Sequence, residues 1–334
     1  MLSLVAASVA MATPNVGSTG SLYGLALVTN GPATMGLATV DGSGATKMIG
    51  PAHSELFGCS DTVAIAHGMF FYLGDTSARA DIVALNLTDG SKVCSKNIEL
   101  AEVGYVDLGQ TLDYDESSDT LVLSGINLNK TGHNIYRGSA RGCGPFTAAG
   151  SYNYSDYIPM LHASSLDTKG QRLFVSLGTS SNTGGIGVVD LTGKKPTAVI
   201  TEGAPDPDDA LVGMHWDAKS GKLVGIYADP SGLFLHAVDP ASQKWDAPKP
   251  VTGVPTGWNA LLGNSGSVST FDAAARNIIF LAGEQDGQGN IVSSYVCNVD
   301  VDDASLKAHP KMQPQVGLGG SGFLALEMTG DEVM

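Results

Sequence analysis

Short runs of alternating apolar residues, joined by polar turns, recur along the chain at an interval near 50 residues. The frame is clearest from Met214 to Tyr227, MHWDAKSGKLVGIY, where Trp216 precedes Asp217 and Leu223 stands six residues after that Asp. The same arrangement returns at Tyr114-Asp115 before Leu121, at Leu166-Asp167 before Leu173 and at Phe271-Asp272 before Ile278, so successive Asp residues lie 52, 50 and 55 positions apart. Period-2 alternation on both sides of a turn such as DTKGQR or DAKSGK predicts a β-hairpin. An Asp at its head suits the first position of a type I turn, so these four residues are read as structural.

Behind each hairpin a polar loop leads to a third run, which ends at Val189-Asp190, Val238-Asp239 and Val299-Asp300. Val40-Asp41 and Leu85-Asn86 are its earlier counterparts, and HNIYRG, at Tyr136 to Gly138, is a degraded one. Turns such as TDGSK, TGKK and PASQK then open a weaker fourth run. Six units fit this pattern, and no segment supplies a seventh. Four antiparallel strands per unit, repeated at this period, predict an all-β, six-bladed β-propeller with the innermost strand first in each blade. The first unit opens with SLYGLALV, which matches a second strand, while GGSGFLALEM near the C-terminus has no second strand after it. The C-terminal strand, from about Gly322 to Met328, is therefore expected to join blade 1 and close the ring without an open edge.

Composition agrees with this reading: 43 Gly and 15 Pro in 334 residues suit a turn-rich β protein. The repeat crosses the middle of the chain without a low-complexity linker, which predicts one propeller domain over residues 21–330. With 18 Lys and Arg against 33 Asp and Glu, the net charge of -15 excludes a nucleic-acid backbone as partner and favours cations or basic surfaces. Spread over six sets of loops, the same acid also serves solubility. No apolar run is long enough for a transmembrane span. Residues 1–20 begin with an apolar stretch and Ala10-Met11-Ala12, which reads as a secretory signal, although no Lys or Arg precedes the stretch; a disordered tail or a late-starting gene model is the alternative. Sequons at Asn86, Asn129 and Asn153 permit a secreted glycoprotein. Cys59, Cys94, Cys143 and Cys297 have no metal-ligand spacing, and leave open one or two disulfides or buried free thiols.

Candidate chemistry falls in three places. The loops between second and third strands share a face with the blade-to-blade connections, and carry Asp75, Asp81, Asp229, Glu284 and Asp286; the connection from blade 4 to blade 5 adds Asp206, Asp208 and Asp209. Of these, Asp206, Asp208, Asp209, Glu284 and Asp286 are the candidate ligands of a Ca2+ ion, which takes several oxygens, although no EF-hand spacing is present. Two places before each repeat Asp, facing the channel, stand Asp113, Ser165, His215 and Thr270, with His162 earlier on its strand. His162 and His215 are the candidate catalytic groups, set against a plainer role in lining a wet channel. Trp258, in the connection to blade 6, and Tyr152, Tyr154 and Tyr157 between blades 3 and 4 are candidate ligand-binding aromatics, for a sugar or a protein partner, or else seals between blades. No nucleophile elbow, zinc-protease motif or phosphate loop occurs.

The apolar-Asp turns and the Val-Asp strand ends, repeated six times from about Ser21 to Met328, resemble the six-bladed propeller superfamily that includes NHL-repeat, TolB-like and regucalcin- or gluconolactonase-like proteins. The resemblance implies the ring; propellers of unrelated function share these features, so it implies no activity. In the lactonase branch, acidic and amide side chains hold a central divalent cation, a set not matched residue by residue in this chain. The resulting expectation is a secreted or surface-associated binding or scaffold module, taking a protein or carbohydrate ligand on its loop face. The alternative is a calcium-dependent hydrolase of lactones or esters, with the metal at the channel mouth and His162 or His215 as base.

Overall fold

Alternation at period 2 becomes strand after strand in the computed structural model: among the described residues there are twenty-six strands and no helix. Those residues are 21–28, 34–53, 63–76, 79–98, 111–126, 132–153, 158–178, 184–195, 197–204, 210–229, 231–255, 260–261, 269–285, 291–308, 310–312 and 323–328; at several strand ends the description extends to the backbone alone.

Blade 1 contains β1 (Leu22–Val28), β2 (Thr34–Val40) and β3 (Thr46–Met48), and blade 2 contains β4 (Val63–Ala66), β5 (Met69–Thr76), β6 (Arg79–Asn86) and β7 (Lys92–Ile98). Blade 3 follows with β8 (Thr111–Asp115), β9 (Thr120–Ile126), β10 (Gly132–Ser139) and β11 (Phe146–Asn153). Blade 4 has β12 (Ile158–Asp167), β13 (Arg172–Gly178), β14 (Gly185–Asp190) and β15 (Ala198–Ile200). In blade 5, β16 (Ala210–Asp217), β17 (Lys222–Asp229) and β18 (Gly232–Asp239) are flanked by two short outer pieces, β19 (Lys244–Trp245) and β20 (Lys249–Pro250). In blade 6 the inner strand is itself in two pieces, β21 (Ala260–Leu261) and β22 (Ser269–Asp272), both paired with β23 (Asn277–Gln285), ahead of β24 (Ile291–Asp300) and β25 (Ser305–Ala308). The last strand, β26 (Phe323–Met328), pairs antiparallel with β1, so blade 1 reads β26-β1-β2-β3 and its inner strand comes from the C-terminal segment, as the sequence predicts. The inner strands adjoin in the order β26, β4, β8, β12, β16, β22 and back to β26, which closes the ring.

Both faces of a second strand are buried, because each blade is covered by a neighbour on either side. In β5, Phe70 and Tyr72 enter the apolar cluster shared with blade 1, while Phe71 and Leu73 enter the one shared with blade 3. In β13, Val175 meets Val122 and Ile135 of blade 3, and Phe174 meets Met214 and Leu223 of blade 5. Six such clusters occur, one at each seam, including that between blades 6 and 1, where Ile279 and Leu281 pack with Leu22 and Val40. The core is therefore distributed round the ring, and non-directional burial of apolar surface holds blade to blade.

The repeat Asp residues cap their turns. Asp115, Asp167, Asp217 and Asp272 are buried, and Oδ1 of each accepts a turn N–H, from Ser117 (3.1 Å), Gly170 (2.8 Å), Lys219 (3.1 Å) and Ala274 (3.0 Å). The second oxygens of Asp115, Asp167 and Asp217 do something the repeat alone does not reveal. Four places after each Asp the chain turns through positive φ, at Asp119, Gln171, Gly221 and Arg276, and this residue can reach back across the seam. Gln171 donates to both oxygens of Asp115 at 3.1 and 3.0 Å, joining blade 4 to blade 3, and Arg276 donates to Asp217 Oδ2 at 2.6 Å, joining blade 6 to blade 5. Gly221 has no side chain to offer Asp167, which instead takes Arg172 of its own blade at 2.6 Å; that guanidinium also lies over the Trp216 ring of blade 5, 4.9 Å from its centroid. Between blades 2 and 3, Cys94 on β7 and Cys143, in the turn after β10, form a disulfide with Cα atoms 5.9 Å apart, which resolves two of the four cysteines. Cys297 is a buried free thiol at the seam of blades 5 and 6, and Cys59 lies outside the described residues.

Candidate functional site

Inner strands of a propeller turn one face to the axis, and the side chains two places before the repeat Asp point there. Asp113 on β8, Ser165 on β12, His215 on β16 and Thr270 on β22 all line a cavity of about 340 Å³. The wall is completed by Val63, Ala64 and Ile65 of β4, by Ser164 and Ser269, and by the residues flanking the turns, among them Tyr114, Trp216 and Ala273. These positions lie at the ends of the inner strands where they turn into second strands. The cavity thus sits toward the face opposite the one carrying the second-to-third-strand loops, where the sequence places the candidate site.

Across each seam from blade 3 to blade 6 a side chain makes one hydrogen bond to the neighbouring inner strand. Ser164 Oγ donates to Asp113 Oδ2 at 2.9 Å, the Trp216 N–H donates to Ser165 Oγ at 2.7 Å, and His215 Nε2 lies 3.0 Å from Ser269 Oγ. Gly213 makes the last contact feasible. A Cβ at this position would stand 1.7 Å from Ser269 Oγ and 3.0 Å from His215 Nε2, so only glycine leaves the room. The His215 ring also stacks on Phe271, 6.1 Å between centroids and 12° from parallel.

Electrostatics in the cavity follow from its depth. Burial raises the Asp113 carboxyl to about 6, against the opposing hydrogen bond from Ser164, and burial lowers the His215 imidazole to about 4. Above pH 6 the cavity therefore holds both a carboxylate, on blade 3, and a neutral imidazole, on blade 5. Among the described lining residues Asp113 is the one acidic side chain and none is Lys or Arg. Contrast Asp115: burial would raise it too, but Ser118, Arg137, Gln171 and Ser117 together outweigh burial and hold it at about 2.

The other candidates are distributed as follows. His162 lies on β12, where the backbone alone is described. Glu284 lies on β23, opposite Ser293, and again the description stops at the backbone. Asp206, Asp208, Asp209, Asp286, Trp258, Tyr154 and Tyr157 lie outside the described residues. Tyr152 stands on the outer strand β11, half-buried against the apolar cluster of blades 3 and 4, with its hydroxyl 3.5 Å from the Asp190 carbonyl oxygen. Four of the expected loop acids belong to strands: β5 runs to Thr76, β6 starts at Arg79, β17 runs to Asp229 and β23 to Gln285, so Asp75, Asp81, Asp229 and Glu284 are ladder residues, and Asp81 accepts a hydrogen bond from Asn97 at 3.0 Å. Among the described residues no group of three or more His, Cys, Asp or Glu could hold a metal ion. Sequence reasoning missed Ser164, Ser269 and Gly213; Gly213, two places before His215 on the same face, was the available signal.

Comparison with solved structures places the ring among known propellers. A chain of a nidogen/laminin complex matches with a TM-score of 0.58 at 12% identity, over 92% of this chain and 98% of that one. TolB from Acinetobacter baumannii matches with a TM-score of 0.58 at 10% identity, over 93% and 67%. A chain of the Kuenenia stuttgartiensis hydrazine synthase matches with a TM-score of 0.50 at 12% identity, over 83% and 76%. No family model matches the chain, and comparison with curated protein sequences finds no match. The chain has the β-propeller fold that these structures share, a fold used by binding proteins and enzymes alike.

Proposed function

We propose that this chain is a secreted or surface-associated binding module: one propeller domain over residues 21–330, behind a signal-like segment at 1–20, that presents a protein or carbohydrate ligand with its loop face. The observation that supports it most is the Cys94–Cys143 bridge between neighbouring blades, because such bonds persist in oxidising compartments and fix the relative position of the blades whose loops make the surface. The seam contacts at Asp115 and Asp217 act in the same direction. One structural neighbour comes from a protein complex, that of nidogen with laminin.

A second reading, a calcium-dependent hydrolase of lactones or esters with Asp206, Asp208, Asp209, Glu284 and Asp286 around the metal, has one observation in its favour: His215 is neutral at pH 7 and open to a cavity, as a general base needs to be. One experiment separates the two. The mature protein, Trp258→Ala and the double variant Tyr154→Ala/Tyr157→Ala are screened by partner capture and glycan array, and for lactone and ester hydrolysis with and without chelator; Tyr152 is left in place because it packs in the seam of blades 3 and 4. The binding reading expects capture to weaken about 30-fold on loss of aromatic anchors worth about 2 kcal/mol. Capture unchanged in both variants sinks it, and hydrolysis that chelator and His215→Ala both abolish establishes the alternative.

A further inference from the structure

We propose that the central cavity binds a small organic cation, a primary ammonium that carries hydroxyl groups, with Asp113 as its counter-ion. This site lies toward the other face from the loop surface proposed above and does not depend on it.

The buried carboxylates of the repeat turns are each met by strong donors. Asp115, Asp167 and Asp217 are each met by a guanidinium, from Arg137, Arg172 and Arg276 at 2.7, 2.6 and 2.6 Å, whereas Asp272 has no such partner among the described residues and takes two turn N–H groups, of Ala274 and Ala275, on one oxygen at 3.0 and 2.9 Å. Asp113 is met by no guanidinium among the described residues: one oxygen accepts the Ser164 hydroxyl, and the rest of the carboxylate faces the cavity. Asp113 is half-buried, and an ionised carboxylate that is partly desolvated without a cation is costly, in line with the rise of this one to about 6. A ligand that brings one positive charge removes that cost. The cavity, about 340 Å³, is at the small end of the range for ligand sites.

Its other walls narrow the ligand class. The hydroxyls of Ser165, Ser269 and Thr270 can each give and take a hydrogen bond, which suits ligand hydroxyls. His215, with its imidazole held neutral, does not repel a cation. The one carboxylate among the described lining residues matches a ligand with a single positive charge better than calcium, which takes six to eight oxygens. The net charge of -15 raises the local concentration of cations of either kind.

The pH dependence is set by Asp113. From β4 it faces apolar side chains and from β12 the serine hydroxyls. The other titratable groups on the described walls are His215 and Tyr114, whose hydroxyl donates to Asp119 at 3.2 Å. His215, at about 4, stays uncharged down to pH 5. Protonation of a carboxyl at about 6 then weakens cation binding about tenfold between pH 7 and pH 5.

The test is isothermal titration of the mature protein with ethanolamine, serinol and glucosamine, each beside its uncharged counterpart, ethylene glycol, glycerol or glucose. We expect at least one ammonium to bind, its counterpart to bind at least tenfold more weakly, and Asp113→Asn to lose tenfold or more. The same ligand at pH 5 should bind the unsubstituted protein about tenfold more weakly than at pH 7, where all three amines are still mainly protonated, an arm that needs no variant to fold. Failure of all three ammonium probes to bind overturns the proposal. So does equal binding of the uncharged counterparts, unchanged affinity in a folded Asp113→Asn, or affinity independent of pH.

Discussion

Arg276 shows how much one side chain can hold in this fold. At positive φ in the first turn of blade 6, it donates to the buried Asp217 of blade 5 and also pairs with Asp302. The Asp217 carboxyl is raised by burial but brought below its usual value overall, chiefly by Arg276 and Ser220. Removing the arginine strands that carboxylate in the interior, so Arg276→Ala should cost about 3 kcal/mol, at the lower end for a broken buried pair because the Lys219 N–H and Ser220 hydroxyl remain. Lys244→Ala breaks an exposed pair with Glu202 and should cost less than about 1 kcal/mol. Urea-unfolding midpoints of the two variants check the contrast, and equal shifts would contradict it. At this scale the sequence showed the capping role of the Asp, since its frame repeats. It did not show the latch, because the responding residue differs at every seam: Gln171, Gly221, Arg276.

At the scale of elements, alternation told which inner-strand residues face the axis, and Asp113, Ser165, His215 and Thr270 do line the cavity. It did not tell what meets them. The inner strands belong to different sheets, so no ladder register links them, and Ser164 and Ser269 reach their partners across a seam. Two shifted groups on this row have opposite consequences for stability. Asp113, raised to about 6, contributes stability that is complete below about pH 4 and lost as pH rises through 6. His215, lowered to about 4, contributes stability that is complete above about pH 6.5 and lost as pH falls through 4. Between pH 4 and 6 the slopes oppose each other. Asp113→Asn leaves His215 unopposed, so stability measured by urea unfolding from pH 4.5 to 6 should rise more steeply in the variant, by up to about 1.4 kcal/mol per pH unit. Parallel curves for variant and parent would show that Asp113 does not titrate in this window.

For the whole molecule, the ring is held by burial at six seams, by turn-to-turn latches and by a disulfide that spans 49 residues of sequence. A cross-link of that length stabilises by on the order of 4 kcal/mol through the unfolded chain. The double variant Cys94→Ser/Cys143→Ser should therefore melt several degrees lower, and reductant should lower the parent to the same point while leaving the variant unmoved. An unchanged melting temperature would mean that the bond adds nothing to the ring. The sequence by itself determined the architecture: six units, four strands in each, and a C-terminal strand that completes the first blade, because period and alternation are local properties that every blade must repeat to bury its two faces. The tertiary structure alone decided that Cys94 pairs with Cys143, that Tyr152 packs between blades 3 and 4, and that a carboxylate without a cation partner among the described residues, a neutral imidazole and a set of hydroxyls share one cavity. Those facts depend on which residues meet across seams between separate sheets, where side chains distant in sequence approach and no periodic rule relates them.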